Sequence, residues 1–205
     1  MSAQQEKFQL NPKAMEFVPR RKKYYTVEVA SLNIATTQFL ERGDISVYTD
    51  GSINFSQKTA GAGFVIYCGN IPIGMFSVPC EASNSFQAEA KAISLAAKAC
   101  AKIQGTLNKR VKIFCDNRAV LNSLSRVEDC SIVKDGDDVL HDTAEALRSL
   151  GQVSKSVTLV KIKAHVGEAE EKEDLYQGNR FADTLAKMAS GVRLRHPMSC
   201  RLIMA

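Results

Sequence analysis

Three apolar runs of extended character, followed by a switch to helical period, constrain this chain more than anything else in it. Ile45–Ser52, Gly61–Tyr67 and Ile71–Val78 are rich in β-branched and aromatic residues, and only Gly69-Asn70 with few neighbours separates the last two. They predict an antiparallel meander with tight turns, closed by Pro79. From Asn84 to Gln104 the residues Phe86, Ala90, Ile93, Ala97 and Cys100 recur at intervals of four, three, four and three, which lays a single stripe along a helix. Val111–Cys115 predicts a fourth strand, Ala119–Leu124 a short helix, and Val139, Leu140, Thr143, Ala144, Leu147 and Leu150 a third helix ended by Gly151. Val157–Ala164 predicts a fifth strand, and Asn179 opens a last helix with the stripe Ala182, Leu185, Ala186 and Ala189. Antiparallel strands first, then strands added by helical crossovers, make an α/β fold with a mixed sheet flanked by helices.

The 205 residues suffice for one domain with extensions. A hydrophobic share of 45% against 24% charged residues is that of a globular protein, and no apolar run is long enough for a membrane span. Met1–Leu10 lacks the apolar core of a secretory signal, so the expected location is intracellular, in cytoplasm or nucleus. Six cysteines occur without a Cys-x-x-Cys pair and beside only three histidines, which excludes a zinc pattern and suits reduced core thiols. A net charge of +5 permits a polyanionic partner without demonstrating one.

Composition divides the chain into a polar and basic extension, 1–42, a regular domain, 43–191, and a basic tail, 192–205. Within the first, Arg20, Arg21, Lys22 and Lys23 precede Tyr24 and Tyr25. Such a run suits a nucleic-acid backbone with stacking, or a solvated linker, and blocks of charge favour the linker. Residues 30–40 are expected to add a short helix or strand.

Four carboxylates stand where a soluble fold has little use for them. Asp50 lies at the end of the first apolar run, which is expected to end or bend at Gly51; Asp50-Gly51 also reads as a hairpin turn. Glu89 lies three residues after Phe86 and four before Ile93, on the apolar stripe, although an early-turn glutamate also suits a helix dipole. Asp116 ends the fourth strand and equally reads as the cap of the next helix. Asp183 falls in the first turn of the last predicted helix. Crossover chirality brings the ends of the central strands together, so Asp50 and Asp116 become neighbours within reach of Glu89 and Asp183. Carboxylates so close repel unless hard divalent cations join them, and a pair of Mg²⁺ ions on oxygen ligands is the arrangement used for phosphoryl displacement.

These residues resemble the type 1 ribonuclease H family, within the ribonuclease H-like superfamily. The likeness lies in Tyr48-Thr49-Asp50-Gly51-Ser52, Phe86-Gln87-Ala88-Glu89, Cys115-Asp116-Asn117, Lys163-Ala164-His165-Val166-Gly167 and Asn179–Lys187, five motifs in order over residues 44–190. The resemblance implies a ribonuclease H-like fold with a five-stranded sheet in order 3-2-1-4-5, and hydrolysis of the RNA strand of RNA–DNA hybrids to 5′-phosphate and 3′-hydroxyl ends. It implies two Mg²⁺ ions, with Mn²⁺ as substitute, on Asp50, Glu89, Asp116 and Asp183, with His165 assisting proton transfer or product release. Gly51, Ser52, Gln87, Asn117 and Asn179 are the implied substrate contacts. Phe86-Gln87-Ala88-Glu89 looks most like the domains of non-LTR retrotransposon reverse transcriptases, which implies a domain within, or derived from, such a polyprotein.

This sequence departs from the family pattern in the fourteen residues from His165 to Asn179, which include an acidic stretch, and in Arg180, where a glutamate is usual. No basic handle is evident between the second and third helices, which leaves the grip on substrate weak or placed on Arg20–Lys23 and the tail. The competing readings are a nucleic-acid-binding module of the same fold with weakened catalysis, and a DNA-acting member of the superfamily.

Overall fold

The computed structural model of the chain describes residues 26–28, 43–103, 106, 108–128, 138–163 and 174–192. The elements run β1 (Thr26–Glu28), β2 (Ile45–Asn54), β3 (Thr59–Cys68), β4 (Ile71–Cys80), α1 (Ser85–Lys102), β5 (Arg110–Cys115), α2 (Arg118–Glu128), α3 (Asp138–Val153), β6 (Ser156–Lys161) and α4 (Asp174–Ser190). They form one sheet in order β1-β6-β5-β2-β3-β4. β2 pairs antiparallel with β3 and β3 with β4, whereas β2 pairs parallel with β5 and β5 with β6. The five strands read from the sequence therefore take the expected order 3-2-1-4-5, with the four helices of the described residues around them. A sixth strand is added by the region taken as an extension: β1 runs parallel to β6, with Thr26 opposite Thr158 and Glu28 opposite Val160. Residues 30–40, Arg20–Lys23 and the tail from residue 193 lie outside the described residues.

Several boundaries differ from the sequence reading, each for a local reason. β2 neither ends nor bends at Gly51: Asp50 pairs with Gly63, Gly51 with Ala62, and the ladder runs on to Asn54 opposite Thr59. The turn comes after it, where Asn54 Oδ1 accepts from Ser56 Oγ at 2.7 Å and from the Gln57 N–H at 3.2 Å; an asparagine bonding the chain ahead of it is a turn device. α3 passes through Gly151 to Val153, because a glycine near a helix end costs only about 1 kcal/mol. α4 opens at Asp174 rather than Asn179, so Asn179 and Asp183 sit well inside the helix.

Neighbouring residues on each strand feed opposite faces of the sheet. Val47, Ile113 and Leu159 are fully buried against α1, α2 and α3 with Ile93, Leu121 and Leu147, and cutting one of these large side chains to Ala would cost about 2–5 kcal/mol. On the other face Tyr48, Phe114, Val160 and Ile162 pack with Ala182 of α4, and Tyr48 stacks on Phe114 with ring centroids 4.7 Å apart. α4 lies directly on β3, since a Cβ at Gly63 would stand 2.2 Å from the Ala182 carbonyl oxygen. Its end is tied down by Ser77 Oγ donating to Leu185 O at 2.8 Å and Thr59 Oγ1 donating to Ser190 O at 2.6 Å. No helix among the described residues is long and apolar enough to cross a membrane.

Candidate active site

The parallel ladder between β2 and β5 stops at Tyr48 opposite Phe114. One bond further, Thr49 Oγ1 donates to the Phe114 carbonyl at 3.1 Å. Beyond that point Asp50 on β2 and Asp116 just after β5 stand at the carboxyl ends of adjacent parallel strands, while β2 has an antiparallel neighbour on its other side. A crevice opens at such a change of connection. At the far end of the same pair, Arg110 Nε lies 2.9 Å from an Asp44 carboxylate oxygen, which fixes the two strands against each other.

Local devices bring each acid to the crevice. Asp50 is no turn residue, since it sits within the ladder. Asp116 is not a cap, because Asn117 caps α2 with its own Oδ1, which accepts from the Ala119 N–H at 3.1 Å and the Val120 N–H at 3.2 Å. α1 is capped by Asn84, whose Oδ1 accepts from the Gln87 N–H at 2.9 Å, while Gln87 Oε1 accepts from the Ser83 N–H at 2.8 Å. The helix then crosses β2 so closely that a Cβ at Gly51 would lie 2.3 Å from Glu89 N. That close approach delivers Glu89 to Asp50.

Asp50, Glu89 and Asp116 each present an oxygen within 4.8 Å of the other two. Asp50 is 8% exposed and Glu89 6%. Burial holds the Asp50 carboxyl well above the usual carboxylate range, and the charges of Asp116 and Asp183 push it the same way. Burial first, then Asp50 and Asp116, raises Glu89 likewise. A hydrogen bond between the two lowers Asp50 and raises Glu89. Beneath them the buried Cys115 thiol points to Glu89 Oε2 with Sγ at 3.8 Å. Burial above all, with Glu89 beside it, keeps that thiol protonated. Three carboxylates, two of them buried and raised first by that burial, are an all-oxygen donor set that a hard divalent cation fits, because its charge would offset both the burial cost and their mutual repulsion.

A cavity of about 430 Å³ opens above this cluster, with Asp50, Gly51, Ser52, Asp116, Asn179 and Asp183 in its wall. Asp183 faces the cavity from α4 and is outside the three-acid group, with Lys187 Nζ 2.7 Å from its carboxylate oxygens. Asn179 is 7% exposed, and its Oδ1 has no hydrogen-bond partner among the described residues. Gln87 and Asn117 do not line the cavity, and both spend their side-chain oxygens on caps. Ser52 Oγ accepts from Ser190 Oγ at 3.0 Å. His165 lies outside the described residues. Sequence reasoning gave no site role to Lys187, Lys163, Arg180 or Phe55, all in the wall. Lys187 was legible as the residue four after Asp183, whereas Phe55, 77% exposed, is placed by a turn that the Asp50-Gly51 reading put elsewhere.

The fold has counterparts among solved structures. RNase H1 from the halophilic archaeon Halobacterium salinarum NRC-1 superposes with a TM-score of 0.52 at 20% identity, over 73% of this chain and 99% of that one. The PFV RNase H domain gives 0.55 at 22% identity, over 73% and 95%. The Prototype Foamy Virus protease–reverse transcriptase gives 0.57 at 21% identity, over 74% of this chain but 21% of that longer one. At such identities these likenesses concern the fold. No curated protein matches the chain. The family model described as RNase H matches residues 42–191, the stretch that holds the whole acidic cluster, and the chain belongs to the RNase H family.

Proposed function

We propose that this chain is an endoribonuclease that hydrolyses the RNA strand of RNA–DNA hybrids by two-metal-ion catalysis and leaves 5′-phosphate and 3′-hydroxyl ends. The observation that carries the reading is the meeting of Asp50, Glu89 and Asp116 at the split between β2 and β5, in a chain of the RNase H family. Asp50, Glu89, Asp116 and Asp183 would hold the ions, Mg²⁺ or in its place Mn²⁺. Bound there, they supply an acidified water and charge for the attacking and leaving oxygens.

The residues themselves divide the remaining work. A cation held by Asp50 and Glu89 would offset the burial and mutual repulsion that keep both carboxyls above the usual carboxylate range. Asn179, buried in the cavity wall with a side-chain carbonyl oxygen that has no partner among the described residues, accepts a hydrogen bond from a hydroxyl or water brought there, and a ribose 2′-hydroxyl is a group by which RNA is told from DNA. Lys163 and Arg180 bring positive charge to the mouth, which favours a phosphate backbone beside an acidic floor. Phe55 offers an exposed ring to sugars or bases. His165, a titratable group near neutrality, exchanges a proton with the leaving oxygen. Residues 43–191 form the catalytic domain in this reading, with 1–42 and 192–205 adding backbone contacts. The likeness to a viral protease–reverse transcriptase supports a domain within, or descended from, a reverse transcriptase polyprotein.

The test is incubation of the purified chain with labelled RNA–DNA hybrid, double-stranded RNA and double-stranded DNA, with Mg²⁺ and with EDTA. Metal-dependent cutting confined to the RNA of the hybrid is the expected result. Comparable cutting of double-stranded DNA would overturn the substrate assignment. Tight hybrid binding without cutting would establish the binding module.

A further inference from the structure

Lys187 has no part in the chemistry described so far, although it is ion-paired with a proposed ligand. Its Nζ lies 2.7 Å from the Asp183 carboxylate oxygens, one helical turn away, and the two side chains are 40% and 38% exposed. Lys187 lines the same cavity as Asp50 and Asp116. The backbone below it is anchored, since Ser190 Oγ donates to Ser52 Oγ at 3.0 Å and Thr59 Oγ1 donates to Ser190 O at 2.6 Å. The ammonium is thus held at the cavity wall by a fixed helix end.

We propose that Lys187 is a resident counter-ion for Asp183, so that a divalent ion seated on the Asp183 side of the cavity has to displace the lysine ammonium. The proposal rests on the reading of Asp50, Glu89, Asp116 and Asp183 as cation ligands. Asp50, Glu89 and Asp116 converge within 4.8 Å of one another, whereas Asp183 stands outside that group and is already paired with a cationic side chain. The two halves of the site are therefore unequal. The three-acid half fills first, and the Asp183 half only at higher cation concentration. A half-exposed pair four residues apart on a helix is weak, so Lys187 sets a threshold and not a block.

The experiment counts Mn²⁺ bound to the full chain without substrate, from the electron paramagnetic resonance signal of the free ion, for the wild type, Lys187→Met, Lys187→Arg, Asp183→Asn and the Lys187→Met, Asp183→Asn double variant. The wild type is expected to bind a first ion more tightly than a second. Lys187→Met should tighten the second by roughly three- to tenfold, the size of a lost partly exposed ion pair. Lys187→Arg should behave as wild type. With Asp183→Asn in place, removing the lysine should change second-ion affinity by less than about twofold, because the coupling belongs to the pair. Equal tightening in both backgrounds would show a general effect of charge and overturn the counter-ion role. So would two ions bound with no effect of Lys187→Met. A wild type that takes up no Mn²⁺ would instead sink the metal-site reading, and this inference with it.

Discussion

Replacing Asp50 by Asn removes one charge from a cluster in which three carboxylate oxygens lie within 4.8 Å of one another. Two full charges 4.8 Å apart repel by about 3.5 kcal/mol at an effective dielectric constant near 20. The raised Asp50 and Glu89 carboxyls already lessen that repulsion, so the relief given by Asn is smaller, about 1–2 kcal/mol. For a chain of this size that is a rise in melting temperature of roughly 2–8 °C in EDTA. Metal reverses the order. An ion at a hundred times its Kd stabilises the wild type by about 2.7 kcal/mol, whereas the variant, short of a charged ligand in a buried site, gains much less and loses nearly all cleavage. Scanning fluorimetry of both proteins in EDTA and in millimolar Mg²⁺, beside the hybrid assay, reads all of this. A variant that melts below the wild type in EDTA, shifts equally with Mg²⁺ and still cuts would refute the reasoning and make Asp50 a structural residue.

In EDTA the wild type should also lose stability as pH rises. The Asp50 and Glu89 carboxyls titrate above their unfolded values, so their contribution is complete below the ordinary carboxylate range and is lost as pH climbs through the raised ones. Melting temperatures from about pH 5 to 8 should fall more steeply for the wild type than for Asp50→Asn, and parallel curves would contradict the assignment. His165→Ala should slow turnover by roughly ten- to a thousandfold, measured as single-turnover cleavage; an unchanged rate would leave His165 without a catalytic role. Neutralising Arg20, Arg21, Lys22 and Lys23 should weaken hybrid binding and lower the log–log salt slope by about one unit for each phosphate no longer neutralised. An unaltered slope in a filter-binding titration would make that run a linker.

The sheet was legible because its strands are bounded by strong signals: Gly69-Asn70 at one turn, Pro79 after the meander, and period-four-and-three spacing through α1. The cluster was legible for a related reason, since Glu89 on an apolar stripe has to be buried, and it is. What escaped was decided by partners far away in sequence. Asp50-Gly51 carries the local chemistry of a turn, yet ten ladder pairs with β3 hold it straight. Asn179 resembles a helix start, but the helix was already under way from Asp174. Three residues of β1 have too little pattern to be read as a strand until β6 supplies an edge.

The bare surface of β3 under α4 changes how the history of such a chain would look from its variants. Any side chain at position 63 would collide with the main chain of α4 near Ala182, and one at position 61 with that near Ala186. Main chain cannot yield as a flexible side chain can, so the whole helix would lift, and Asn179, Asp183 and Lys187 would leave the acidic floor together. A mutational map scored by activity alone would then mark two featureless glycines as brightly as the acids themselves. Drift in such a chain would thereby be confined, with Gly61 and Gly63, which have no side chain to do chemistry with, held as firmly as the acids proposed to do it.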